Sequence, residues 1–433
     1  MAELFDNVAQ EKEKALLIGL DTGEATGLAE RSLIELKELV ENCGAEVVGQ
    51  LTQVRAKPDT TTWIGSGKLE EAIELASELG ATLLVLDDEL SPRQLRNISA
   101  ATDLKVLDRT AIILDIFAQR AVSEAGKIQV ELAQLRYRLT QLTGHGVALS
   151  RLGGGIGTRG PGETKLESDR RHIMRRISTL NRRLKDLAGR RAVFRDNRKK
   201  QNVQVVAVVG YTNAGKSTLI NALAGSDIAA ADQLFMTLDP TVRKLEGDGL
   251  DIVLVDTVGF IRNMPRHLAE AFSATLEEVT AADYLVIVID ASDPDASDQL
   301  DVVFEQLERL EATAKPTLLA INKVDLATAD QVNNVRVSGC KRVDDCLEIS
   351  ATRNLGLDTL RAFLLDWPKT TRVPVSLTLD YTDAGLVNHL QTYGDVESVE
   401  YEASGVKLRG TIDPRHLAPF LPHLKKENED HER

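Results

Sequence analysis

Residues 210–217 read GYTNAGKS, the pattern G-x-x-x-x-G-K-[ST] whose glycines let backbone N–H groups wrap a phosphate chain. The apolar, β-branched run VQVVAVV at 203–209 predicts a buried strand before it, and TLINALAG at 218–225 predicts a helix after it. Strand, loop and helix N-terminus together aim several N–H groups and a positive dipole end at an anion. Gly210, Tyr211, Thr212, Asn213, Ala214, Gly215, Lys216, Ser217 and Thr218 are therefore the candidate phosphate cradle. Lys216 would reach the β- and γ-phosphates, which makes it a catalytic candidate, and the Ser217 hydroxyl would coordinate Mg²⁺.

Two further motifs identify the base and the metal. DTVG at 256–259 ends the apolar run DIVLV at 251–255. Asp256 there can hold Mg²⁺ indirectly, through its water shell, with Thr257 and Val258 lining the turn, and the Gly259 N–H can bond a γ-phosphate. NKVD at 322–325 follows TLLAI at 317–321. Asp325 can accept two hydrogen bonds from guanine N1–H and its 2-amino group, and adenine would leave that carboxylate unpaired. The Lys323 stem can lie against the base, Asn322 can tie this loop to the phosphate loop, and Val324 lies between them and Asp325. Ser350, Ala351 and Thr352, after CLEI at 346–349, suit a last loop around the base. An isolated NKVD is usually a surface turn. In order behind a phosphate loop, these motifs predict a GTP-hydrolysing domain with GTP as substrate and Mg²⁺ as cofactor.

The residue after DTVG, where many small GTPases carry a water-orienting Gln, is Phe260, and a phenyl ring cannot orient a water. Slow intrinsic turnover is expected, completed by a partner or an ion. Asn213 is a candidate K⁺ ligand supplying a fixed positive charge; the alternative is that it bonds only within its loop. Residues 232–241 (DQLFMTLDPT) lie between the first two motifs and suit a segment ordered by the γ-phosphate. Thr237 is the candidate Mg²⁺ ligand and catalytic residue there, flanked by Phe235, Met236, Leu238 and Asp239, with Thr241 as runner-up.

These residues need a scaffold, and the rest of the chain supplies more than one. Of 433 residues, 201–368 would form the GTPase domain, with 1–123 and 124–200 before it and 369–433 after it. Residues 13–123 alternate strand-like segments (KALLIGL, AEVVGQL, ATLLVLDD, LKVLDR) with helices near 29–42, 68–79, 91–101 and 110–121, which predicts a small parallel α/β domain. GSGK at 65–68 lacks the first glycine of a phosphate loop and is expected to open a helix. The tail reads as strand, helix, two strands and a short last helix, a small α+β module, with a charged, disordered end from Leu424.

Net charge is −14, yet residues 126–200 carry nineteen Lys and Arg against six Asp and Glu, leaving the remainder at −27. A basic block in an acidic chain suits nucleic acid, although a solvated helix face is the plainer reading. Ile128, Leu132, Leu135, Leu139 and Leu142 are spaced 4-3-4-3, as are Ile173, Ile177, Leu180, Leu184 and Leu187. Two such stripes predict an antiparallel helical hairpin with a coiled-coil seam. The connection at 143–165 holds eight glycines with Arg151, Arg159 and Lys165, the candidate RNA contacts. Cys43, Cys340 and Cys346 show no paired or metal spacing, so free thiols are expected, and the seven histidines form no ligand pair. No leader segment and no apolar run near ~18–20 residues is present, so a soluble, cytoplasmic protein without integral membrane association is expected.

DRTAIILDIFAQRA (108–121), GKIQVELAQL (126–135), GGIGTRGPGETKLESDRR (154–171), GYTNAGKST (210–218), TLDPT (237–241) and DTVGFI (256–261) resemble the HflX family of GTPases, over residues 13 to about 368. One departure is Met236, where the family commonly has Ala. The resemblance implies a P-loop GTPase domain that binds the large (50S) ribosomal subunit through 23S rRNA and ribosomal proteins. It also implies ribosome splitting, rescue or recycling, with the glycine tip approaching the peptidyl-transferase region. Hydrolysis would be ribosome-stimulated, the chain a monomer, and DNA not a partner. Two other classes stay open: a signalling GTPase with a protein effector, and an RNA-remodelling protein with minor nucleotide dependence.

Overall fold

The computed structural model describes residues 12–23, 27–143, 161–201, 203–225, 241–245, 251–262, 273–402 and 405–423. The expected alternation at the N-terminus forms a parallel four-stranded sheet in the order β2-β1-β3-β4, from β1 (Lys14–Asp21), β2 (Glu46–Val54), β3 (Leu83–Leu86) and β4 (Lys105–Asp108). Ala15, Leu16, Leu17 and Ile18 of β1 are wholly buried, because helices cover both faces of the sheet. Helix α1 (Leu28–Asn42) packs on one face through Leu33, Leu36 and Leu39. The GSGK stretch starts the helix Ser66–Leu79, whose N-cap is Gly65. Ser91 closes a capping box with Gln94 at the start of the helix Pro92–Ala101, worth about 1 kcal/mol.

The hairpin helices are Glu124–Thr143 and Pro161–Lys200. Ile128, Leu132 and Leu180 are buried at their seam, with Leu135, Leu184 and Leu187 packed on them. Leu139, Leu142, Ile173 and Ile177 are half-buried. The opposite face of the first helix, Val130 and Ala133, joins the core that holds Ile113 and Phe117. On the longer helix, Arg170, Arg171, Arg175, Arg182, Arg183 and Arg190 are exposed, and Arg176 pairs with Glu131 at 2.7 Å. Arg151, Arg159 and most of the glycine connection lie outside the described residues, and so does the Lys165 side chain.

The GTPase sheet has six strands in the order β10-β9-β8-β5-β7-β6: β5 (Gln204–Gly210), β6 (Thr241–Leu245), β7 (Ile252–Asp256), β8 (Tyr284–Asp290), β9 (Thr317–Asn322) and β10 (Asp345–Glu348). All pairings are parallel except β6 with β7. The apolar runs ahead of the three motifs are the central strands β5, β7 and β9, so all three motifs leave the sheet at its C-terminal edge, where open α/β sheets bind ligands.

The tail forms an antiparallel sheet, β11 (Val373–Leu379), β13 (Gly405–Ile412) and β12 (Gly394–Glu402), in the order β11-β13-β12, with the helix Gly385–Tyr393 against it. It meets the GTPase domain through Gln204 and Asp413, 3.1 Å apart, and through Arg415 and Asp283, 3.2 Å apart. The end of the tail holds two short 3₁₀ turns, Pro414–His416 and Ala418–Phe420, followed by helical residues 421–423. Residues from Leu424 onward lie outside the description. The cysteine expectation needs correction. Cys340 and Cys346 form a disulfide, since the turn Cys340–Arg342 brings the start of β10 back to within 5.6 Å Cα to Cα; Cys43 keeps its thiol.

Candidate functional site

The phosphate loop turns on two glycines. Gly210 has φ +153°, and a Cβ there would lie 2.2 Å from Val288 O. Gly215, at φ +91°, caps the helix Lys216–Ala224, and a Cβ there would meet Asn322 Nδ2 at 2.4 Å. Both positions demand glycine. Lys216 is buried, and its Nζ donates to Gly210 O at 3.2 Å and Tyr211 O at 2.7 Å. Burial lowers its ammonium pKa to about 8, partly opposed by Asp256, so the site holds a desolvated cation that an anion would stabilise.

Ser217 donates from Oγ to Asp256 Oδ2 at 2.7 Å, and Asp256 is 2% exposed. Hydroxyl plus carboxylate is an oxygen donor pair that fits Mg²⁺, which is usually held by few protein oxygens together with phosphates and water. Among the described residues no group of three or more His, Cys, Asp and Glu side chains could hold a metal by itself. Thr257 Oγ1 donates to Val208 O at 2.8 Å, which fixes the turn after β7. Gly259 packs on the phosphate loop so closely that a Cβ would lie 2.8 Å from Thr212 Cα and 3.0 Å from Lys216 Nζ. Val258 is buried beside it.

Phe260 is 1% exposed, inside the core. Its backbone bridges the phosphate loop: Phe260 N–H donates to Gly210 O at 3.0 Å and Thr212 N–H to Phe260 O at 2.9 Å. Thr241 is an exposed residue at the start of β6, in register with Asp256. Phe235, Met236, Thr237, Leu238 and Asp239 lie outside the described residues.

Asn322, 2% exposed, joins three loops. Its Nδ2 donates to Ala214 O at 2.9 Å and its Oδ1 accepts from Ala351 N–H at 3.0 Å. Lys323 adopts φ +59°, and its ammonium pairs with Asp290 at 2.7 Å, which leaves the alkyl stem along the loop. Val324 N–H donates to Ile349 O at 3.3 Å. The Asp325 side chain is 16% exposed and lies 3.7 Å from the Arg353 side chain, which is itself 72% exposed. Ser350 and Ala351 are buried, and Ser350 Oγ accepts from Arg353 N–H at 3.1 Å; Thr352 is an exposed turn residue. Asn213, exposed and at φ +60°, opens on a cleft of about 380 Å³ between the phosphate loop and α1, with Arg31, Glu35, Arg262 and Asp290 in its walls.

Sequence reasoning missed the N-terminal residues that reach this site. Arg31 pairs with Asp295 at 2.6 Å, and Arg262 lies 3.4 Å from Asp298. Arg109, 1% exposed, is 2.9 Å from Glu35 and 2.7 Å from Asp87. Burial opposes its charge, but the two carboxylates outweigh it and raise its pKa. Arg109 ended a strand-like run in the sequence, and nothing there distinguished it from a surface arginine.

Comparison with known proteins agrees with this geometry. Residues 30–118 match a family described as "GTP-binding GTPase N-terminal", 120–198 one described as "GTP-binding GTPase Middle Region", and 205–323 one described as "50S ribosome-binding GTPase". The chain is 44% identical over 430 residues to "GTPase HflX" of Lacrimispora saccharolytica, covering 99% of this chain and 100% of that protein. It is 44% identical over 414 residues to "GTPase HflX" of Caldanaerobacter subterraneus subsp. tengcongensis, covering 95% and 94%. With "GTPase HflX" of Escherichia coli it shares 46% identity over 295 residues, 68% of this chain and 69% of that one.

Proposed function

The chain belongs to the HflX family of GTPases and hydrolyses GTP, and from that premise we propose that it binds the 50S ribosomal subunit in its GTP state, turns over slowly when free, and is activated by the ribosome. The observation that carries this reading is Phe260. Its ring lies in the core at 1% exposure, so the position that would orient the attacking water supplies only backbone. A partner must complete the site.

We infer the residue roles from the sequence motifs, and the geometry of the described residues supports them. Lys216 neutralises the β- and γ-phosphates, the Gly259 N–H donates to the γ-phosphate, and Asp325 reads guanine, with Ser350, Ala351 and Thr352 closing the base loop. Ser217 and Thr237 would hold Mg²⁺ directly, with Asp256 acting through its water shell. That ion supplies neutralisation of phosphate charge when bound. Asn213 is the K⁺ ligand, beside the acidic wall that includes Asp290. The exposed arginines of the hairpin support an rRNA partner, with Arg151, Arg159 and Lys165 of the glycine-rich sequence as candidate contacts. The chain acts in the cytoplasm as a monomer, in ribosome splitting, rescue or recycling.

Sedimentation with purified 50S subunits tests the reading. Co-sedimentation with a non-hydrolysable GTP analogue, lost with GDP and weakened steeply by salt, is expected. Binding that ignores the nucleotide would favour an RNA-remodelling protein, and no binding would favour a signalling switch.

A further inference from the structure

Tyr211 follows the first glycine of the phosphate loop, at a position whose side chain has no part in wrapping phosphate. Its ring is 4% exposed, and its hydroxyl has partners from two distant parts of the chain. It donates to Glu35 Oε1 at 2.9 Å and accepts from the Arg262 backbone N–H at 2.9 Å. Glu35 belongs to α1 of the N-terminal domain, and its other oxygen, Oε2, lies 2.9 Å from Arg109 Nη2. Arg109 in turn is held by Asp87 at the end of β3. The Tyr211 backbone meanwhile bridges Phe260. Residues 260–262 are thus fixed by the backbone of Gly210 and Thr212 on either side of Tyr211 and by the Tyr211 side chain, and the side-chain hold is anchored in another domain. Burial raises the phenol pKa, so the hydroxyl stays a donor through the neutral range.

We propose that Tyr211, anchored by Glu35, is a positioning residue for GTP hydrolysis that sets the segment from Gly259 to Arg262 and ties it to the N-terminal domain. The coupling is physical. Gly259 already packs on Thr212 and Lys216, so a shift of residues 260–262 carries its N–H with it. Phe260 offers no side chain to compensate. The proposal rests on Gly259 as the donor to the γ-phosphate; GDP, which lacks that phosphate, separates positioning from plain nucleotide binding.

The test uses full-length Tyr211→Phe, Glu35→Leu and Glu35→Gln in steady-state GTP hydrolysis with parallel GDP titrations. Tyr211→Phe and Glu35→Leu should each lower kcat roughly 5- to 30-fold, with KM and GDP affinity within about two-fold of the parent. Combining them should cost no more than either alone, because both cut one link. Glu35→Gln keeps an acceptor for the phenol and should retain kcat within about two-fold. A purely structural role would instead lower the thermal midpoint and scatter into KM. A Tyr211→Phe kcat that is unchanged or raised overturns the proposal, as do lost GDP affinity and losses that multiply in the double variant. Should Glu35→Leu fail to fold, Tyr211→Phe with Glu35→Gln decides. Gly259→Ala is the separate control: it keeps the N–H but its Cβ would press on Thr212 and Lys216, so parental kcat there overturns the link between this segment's placement and hydrolysis.

Discussion

Asn322→Ala is the sharpest probe of the site, because Asn322 reaches Ala214 and Ala351 and the expected loss can be worked from the structure. The side chain satisfies the Ala214 carbonyl at 2.9 Å and the Ala351 N–H at 3.0 Å, in surroundings where Asn322 is 2% exposed. Truncation leaves both backbone groups buried without these partners, at about 1–3 kcal/mol each. Loop relaxation and entering water recover part of this, so about 2–3 kcal/mol of the organisation of the phosphate and base loops is lost. At about 1.4 kcal/mol per decade, affinity for GDP and GTP should fall together by roughly 30- to 100-fold. Fluorescent-nucleotide titration of the purified variant measures this, with calorimetry to show that the domain still folds. Both nucleotides must weaken alike, since Asn322 binds the loops and not the γ-phosphate. Affinity within about three-fold of the parent would refute the reasoning, because the two buried hydrogen bonds would then hold nothing the nucleotide needs.

Asp325→Asn should trade guanine for xanthine preference, by at least about ten-fold in competition binding; an unchanged preference removes its role in reading the base. GTP turnover should be faster in K⁺ than in Na⁺ at equal ionic strength, and Asn213→Ala should abolish that difference; equal parental rates would leave Asn213 a loop residue only. Asp108 is fully buried and accepts from Ala111 and Leu90 N–H, yet burial pushes its carboxyl up to about 6. The folded pKa lies above the unfolded one, so the folded state binds the proton more tightly and this group's contribution falls as pH rises from ~4 through ~6. The stability of the parent relative to Asp108→Asn should therefore drop by up to about 3 kcal/mol between pH 4 and 7, followed by calorimetry. A difference that is flat with pH contradicts the assignment.

Local pattern carried a large part of this architecture. The β-branched runs ahead of GYTNAGKS, DTVG and NKVD are buried parallel strands, and alternation at the N-terminus forms the parallel sheet β2-β1-β3-β4. Heptad spacing placed Leu132 and Leu180 at one seam. What stayed hidden depends on contacts between residues far apart in sequence. Glu35 carried no motif in the sequence, and Tyr211 entered only as a member of the phosphate loop. Their 2.9 Å contact exists only because two domains pack together. Cys340 and Cys346, six apart, carried no signature, since their pairing follows from the chain turning back into β10.

The most direct test of the central claim is the rate of GTP hydrolysis with and without purified 50S and 70S particles in K⁺ buffer. The account predicts stimulation by tens of fold or more, because the ribosome supplies the organisation that Phe260 withholds. A rate unchanged by saturating ribosomes would contradict it and leave a GTPase whose activator lies elsewhere.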